Sequence, residues 1–170
     1  MGLTTVVATA PGRLAWADQC VLGLLGRDVI VLELDAGYEL AKLRWVYENT
    51  GLDRFLFLQD SAEVLSKGFW ARLSEHPGSV GIMGDPAPFG CYMGVYERRF
   101  LDLMDWPETL TKDDSIRQEV LWCSRYAEVS GASVLFPELR DSAGFEREHL
   151  GRNNLVLENE HFRKWKGTWA

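Results

Sequence analysis

The sequence predicts a single α/β domain, an α/β/α sandwich around a mostly parallel central sheet. Three observations carry that expectation. Apolar runs of strand character alternate with segments of helical period. The run Phe55-Leu56-Phe57-Leu58 is apolar throughout and bounded by polar residues, which suits a strand covered on both faces. A chain of 170 residues, 46% of them hydrophobic, has enough apolar side chains for one proper core and needs no second domain.

Thr4 to Ala10 reads as the first strand, broken by Pro11-Gly12. Leu14, Ala17, Cys20, Val21 and Leu24 then recur at helical spacing until Gly26. Asp28 to Leu34 forms the second strand. Asp35-Ala36-Gly37 turns into a helix with Leu40, Leu43, Val46 and Tyr47 on its apolar side, which Asn49-Thr50-Gly51 ends just before the Phe55 run. Three strands separated by two helices imply parallel pairing through right-handed crossovers. Further on, Phe69, Trp70 and Leu73 suit a short helix, Ser79 to Met83 a strand, and Cys91 to Tyr96 a strand after the loop Gly84 to Gly90. Ile116, Val120, Cys123 and Tyr126 form a helical stripe, and Ser133 to Phe136 reads as the last strand.

Twenty-five acidic against 18 basic residues give a formal charge of −7, so no global electrostatic footprint for nucleic acid is present, although a local basic groove is compatible with that balance. Cys20, Cys91 and Cys123 are odd in number, widely spaced and set in apolar sequence, which suits reduced thiols better than disulfides or zinc. No charged N-terminal segment leads into a long apolar run, and no stretch approaches the ~20 apolar residues of a membrane span. A soluble, cytoplasmic protein is therefore expected.

The chemistry centres on Gln59-Asp60-Ser61, where the apolar run ends in a carboxylate, with Glu63 two residues beyond. In open α/β sheets ligands bind outside the carboxyl ends of the strands, where this carboxylate falls. Asp60 equally suits a capped turn, since Asp and Ser favour local hydrogen bonding. The order β-α-β-α-β followed by a carboxylate after a hydrophobic strand resembles the GT-A glycosyltransferases, a Rossmann-related fold whose donor is a nucleotide-sugar. The resemblance implies a UDP-sugar as expected donor, and Mn²⁺ or Mg²⁺ held against its diphosphate by an acidic motif. Here Asp60 occupies that motif, with one carboxylate where the family often has two. Glu63 would assist, directly or through water, and Gln59 and Ser61 would contact the donor. Lys42 and Arg44, on the helix before the acidic strand, stand where the family often has a basic residue near the diphosphate; a solvated helix face explains either as well. Ala8, Thr9 and Ala10, at the end of the first strand, would cradle the base, and Arg13 would reach a phosphate.

Downstream, Asp113-Asp114 resembles the acidic pair that opens a helix and supplies the base of an inverting transferase. Asp114 is the expected base, with Glu119 one turn further along as the alternative. Thr111-x-x-Asp114 also matches a capping box. At the C-terminus, His161, Lys166 and Trp169 in EHFRKWKGTW resemble the His, Lys and Trp with which some GT-A transferases close the donor site, His161 binding metal and Lys166, or Lys164 in its stead, pairing with the diphosphate. By the same resemblance residues 1–65 form the nucleotide-sugar-binding half, 66–150 the acceptor side and 151–170 a donor-closing tail. A short acceptor part leaves room for a homo-oligomer or a macromolecule to complete the site. The acceptor class, whether saccharide, protein, lipid-linked carrier or modified base, stays open. So do two other readings: a nucleotide-sugar-binding module without turnover, and a nucleotidyltransferase on a related sheet.

Overall fold

The structure is a computed structural model that describes residues 2–35, 38–84, 88–140 and 155–165. A six-stranded sheet runs through its centre. Strands β1 (Thr4–Thr9), β2 (Val29–Glu33) and β3 (Arg54–Gln59) alternate with helices α1 (Leu14–Leu22) and α2 (Tyr38–Asn49). The short strand β4 (Ala62–Val64) follows, then α3 (Lys67–Ser74), β5 (Val80–Met83), a 3₁₀ turn at Gly90–Tyr92, β6 (Gly94–Glu97), α4 (Arg98–Leu101), α5 (Lys112–Ser130), β7 (Ser133–Phe136), β8 (Leu155–Glu158) and β9 (Phe162–Trp165). The main sheet has the order β2-β1-β3-β6-β5-β7, and a second sheet has the order β4-β9-β8. Within the main sheet only β6 runs against its neighbours; β1 is parallel to both β2 and β3, and β5 is parallel to β7.

Strand β3 shows why the sheet is central. Its four apolar residues are fully buried, and their period of two divides them between two cores. Leu56 and Leu58 join Ala17 and Cys20 of α1, Phe69 and Leu73 of α3, and Phe162 of the small sheet. Phe55 and Phe57 join Leu40 and Leu43 of α2 and Trp122, Cys123 and Tyr126 of α5. The two layers make the expected α/β/α arrangement, and the chain passes from β2 on one side of β1 to β3 on the other. That reversal opens a crevice at the carboxyl ends of β1 and β3, the kind of place where open α/β sheets take ligands.

Three readings need correction. The α5 stripe holds only in its second half: Cys123 and Tyr126 are buried as expected, whereas Ile116 and Val120 are exposed and Ser115 and Trp122 take the packed face beside the stacked rings at 122 and 126. The expected strand from Cys91 begins only at Gly94. Phe89, Cys91 and Tyr92 adopt positive φ (71°, 56° and 60°), a left-handed backbone that cannot continue a strand. Gly81 and Gly94 make room for this loop, since a Cβ on Gly94 would lie 2.4 Å from the Phe89 ring and one on Gly81 2.4 Å from its backbone nitrogen. Lys42, read alternatively as part of a solvated helix face, is buried. Residues 162–165, within the expected donor-closing tail, form β9, paired with both β4 and β8.

Candidate functional site

Asp60 lies just past β3 with its N–H bonded to Ala8 O, which ties it to the end of β1. Its side chain is only 6% exposed, and both its oxygens are used. Arg13 donates Nε–H to Oδ2 at 2.7 Å and Nη2–H to Oδ1 at 2.6 Å, and Thr9 donates its hydroxyl to Oδ2 at 2.8 Å. A guanidinium fork against a carboxylate is the strong, geometrically specific form of ion pair. Arg13 immediately precedes α1, whose N-terminus has no side-chain cap and no acidic residue in its first turn. The partial positive charge of that helix end is therefore left to face an anion.

On the other side of Asp60, Lys164 reaches in from β9. It is 4% exposed, and its Nζ donates to Gln59 Oε1 and Ser61 Oγ, both neutral. Among the described residues no carboxylate pairs with it. A buried ammonium without a counter-ion is costly, and an anionic ligand would relieve the cost. Burial, and then the charge of Asp60, push the Cys20 thiol up to about 12 against the opposing field of Lys164; the thiol contacts Gln59 O at 3.8 Å.

Across the crevice, Glu119 of α5 accepts the backbone N–H of Cys91 and interacts with its thiol. Burial raises its pKa, the Cys91 N–H opposes that rise, and Glu39 at the start of α2 adds to it. Glu39 also acts electrostatically on Arg13 and Tyr92, so Arg13, Glu39, Asp60, Glu119 and Lys164 belong to one charged neighbourhood. The left-handed backbone at Cys91 is the strained element that aims its N–H at Glu119, and strain of this sort gathers at functional sites.

Several expected residues sit elsewhere or are otherwise occupied. Asp114 closes a capping box, accepting the N–H and hydroxyl of Thr111 at 3.1 and 2.8 Å while Thr111 Oγ1 takes the Asp114 N–H. Asp113 is exposed in the same turn. Glu63 bonds Gln19 and Arg163. His161 stands beside Leu65, beyond the far end of β4 from Asp60. Four residues separate Asp60 from Leu65, the last three of them strand β4. Its Nδ1 meets Ser66 Oγ at 2.8 Å, and its ring packs on Gly68 and Phe136. Arg44 pairs with Glu48 on the exposed side of α2. Lys42 is 6% exposed and has no hydrogen bond or ion pair to a described residue. Ala8, Thr9 and Ala10 line the end of β1, with the Ala10 carbonyl accepting the Arg13 N–H. Lys166 and Trp169 lie outside the described residues.

The expected metal set is thus not assembled. Asp60 is committed to Arg13 and Thr9, Glu63 to Arg163 and Gln19, and the His161 ring is engaged with Ser66 and Phe136. Among the described residues no group of three His, Cys, Asp or Glu side chains could hold a metal. A cavity of about 490 Å³ opens elsewhere, between residues 103–107 and α5, lined by Trp106, Gln118, Trp122 and Arg125 among others. None of the five charged residues of the crevice lines it, so the chemistry is assigned to the strand ends.

Glu39 and Cys91 escape sequence reasoning. Glu39 follows the second strand at the same sheet end as Asp60, which could have marked it; nothing local announces Cys91, because its role comes from the unusual turn. No family model, curated protein or solved structure matches the chain. Fold and site together describe a mixed α/β protein that gathers Arg13, Asp60 and Lys164 at the topological switch point of its sheet. No described helix is long and apolar enough to cross a membrane.

Proposed function

We propose that the protein is a glycosyltransferase of GT-A type that moves a sugar from a nucleoside diphosphate, with UDP the expected nucleotide, to an acceptor hydroxyl. The observation that carries the reading is the buried Lys164, without a carboxylate partner among the described residues, beside the Arg13–Asp60 pair at the ends of β1 and β3. The strand order, with one reversed strand next to β3, and the small sheet beyond the acidic turn support the same reading. In this reading the diphosphate lies against Lys164, Arg13 and the open end of α1.

The geometry favours Glu119 over Asp114 as the base of an inverting reaction. Asp114 is engaged as a helix cap, whereas Glu119 is half-buried, anchored by Cys91 and raised in pKa. A carboxylate whose pKa is lifted toward the working pH is the better proton acceptor. The acceptor hydroxyl gives its proton to Glu119 as its oxygen bonds to the anomeric carbon. The bond from that carbon to the diphosphate oxygen breaks, and Lys164 and Arg13 take up the charge of the leaving nucleoside diphosphate. No step is assigned to a metal, since the residues expected to hold one do not fit it.

A binding module without turnover is the second reading, favoured by the closure of Asp60 under Arg13. Thermal-shift measurements with nucleoside diphosphates and their sugars, beside nucleosides and inorganic phosphate, test the shared claim: diphosphates and their sugars should raise the melting temperature and nucleosides should not. Release of nucleoside diphosphate from the stabilising sugar nucleotide then separates enzyme from module. Absence of any nucleotide effect would overturn both.

A further inference from the structure

We infer that this crevice binds the diphosphate of a nucleoside diphosphate without a divalent cation, the guanidinium of Arg13, fixed by Asp60, standing where the cation would be. This rests on the nucleotide-sugar reading and specifies how its donor is held.

The charge balance leads there. Two phosphates bring at least two negative charges, and a site must meet them with positive charge in a place sheltered from water. Arg13 and Asp60 cancel each other, so a cation arriving at Asp60 would meet a carboxylate already neutralised by a guanidinium and with three hydrogen bonds in place. It would then have a single carboxylate, since Glu63 is held by Arg163 and His161 lies at the other end of β4. Arg13 itself is not exhausted by Asp60. A guanidinium has five N–H donors, of which Asp60 takes two, and the side chain is 27% exposed. Its outer edge can donate to two phosphate oxygens in the planar, bidentate way that suits arginine.

Lys164 supplies the charge that Asp60 has removed from Arg13. It is nine-tenths buried, has no carboxylate partner among the described residues, and is held toward the acidic turn by Gln59 and Ser61. The uncapped N-terminus of α1 next to Arg13 adds backbone donors on the same side. Asp60 then acts as a positioning residue: it orients the arginine and does not touch the ligand.

Calorimetric titration with UDP, GDP, ADP and CDP, each in EDTA and again in Mn²⁺, decides the matter on the wild-type protein alone. At least one should bind in EDTA with a Kd within about three-fold of that in Mn²⁺. Lys164→Met and Arg13→Gln should each weaken that binding by about ten- to a hundred-fold, the range of one lost charge-assisted hydrogen bond, while Arg44→Ala should leave it unchanged. Circular dichroism and melting curves check that the variants fold. Binding seen only with Mn²⁺ would overturn the inference and leave the nucleotide-sugar reading standing. Binding in neither condition would remove that reading and the inference with it.

Discussion

Replacing Asp60 by Asn tests the centre of the site most directly. The side chain is almost fully buried and accepts three hydrogen bonds, two from a guanidinium and one from a threonine hydroxyl. Asparagine keeps one acceptor oxygen but presents an NH₂ group where Arg13 or Thr9 also points a hydrogen. Breaking a buried ion pair from one side costs roughly 3–5 kcal/mol. Arg13, at 27% exposure, can recover part of its hydration, so the expected loss is about 2–3 kcal/mol. For a chain of this size that lowers the melting temperature by about 4–12 °C. Urea unfolding of wild type, Asp60→Asn, Arg13→Gln and the double variant forms a cycle that isolates the pair. A coupling of about 1–3 kcal/mol is expected from two contacting charges. Additive losses would mean that Arg13 and Asp60 do not act on each other. A rise in melting temperature on adding Mn²⁺ alone, present in wild type and absent from Asp60→Asn, would show that Asp60 binds the cation after all.

Three other outcomes follow from the same geometry. Glu119→Gln should lower turnover by about 10²–10⁴-fold with little change in nucleotide affinity, as expected for loss of a general base; Asp114→Asn should leave turnover within a few-fold and cost about 1 kcal/mol of stability through the cap, and the reverse pattern would return the base to Asp114. Glu119 also makes stability depend on pH. Because its folded pKa is raised above the ordinary 4.5, the native state holds that proton longer than the unfolded state. Its contribution is therefore full below 4.5 and is lost as pH rises through the raised value. Glu119→Gln should gain stability relative to wild type across that interval, and a flat difference from pH 4 to 8 would contradict the raised pKa. Gly94→Ala should destabilise by about 3 kcal/mol in urea unfolding, because its methyl would meet the Phe89 ring at 2.4 Å and Val80 O at 2.6 Å in a filled core.

The first half of the fold was legible in the sequence because each element carried its own period. Leu40, Leu43 and Val46 marked a helix face, and the Phe55 to Leu58 run marked a strand buried on both sides; both are so in the structure. The turn around Cys91 was not legible, since three non-glycine residues at positive φ are held by Gly81 and Gly94, which lie 8–11 residues before and 2–5 after them in sequence. The phase of α5 was misread for a related reason: Ile116 and Val120 have the hydropathy of core residues, but Trp122 and Tyr126 fill the space against Phe89 and Tyr96. The cap at Asp114 was visible as a pattern, whereas the partner of Glu119 depended on the turn that could not be foreseen.

The C-terminal lysines show most clearly where sequence reasoning stops and why. Lys164 and Lys166 have the same parity in an extended chain, so alternation cannot choose between them. Register chooses. Phe162 is opposite Val64 and Lys164 opposite Ala62, which puts the phenylalanine into the core with Phe69 and Phe136 and carries the ammonium to Gln59 and Ser61. A slip of one residue would turn Arg163 inward and send both Phe162 and Lys164 to the outer face. Three contacts oppose that slip. Asn159 Oδ1 accepts the N–H groups of His161 and Phe162, Leu65 N–H bonds His161 O, and Trp165 N–H bonds Ser61 O. The main chain of His161 is thus among the groups that hold the register of the strand from which Lys164 projects. The buried cation of the crevice and the aromatic core of the small sheet are two faces of a single pairing decision, made by residues that are nearly a hundred positions apart in the chain.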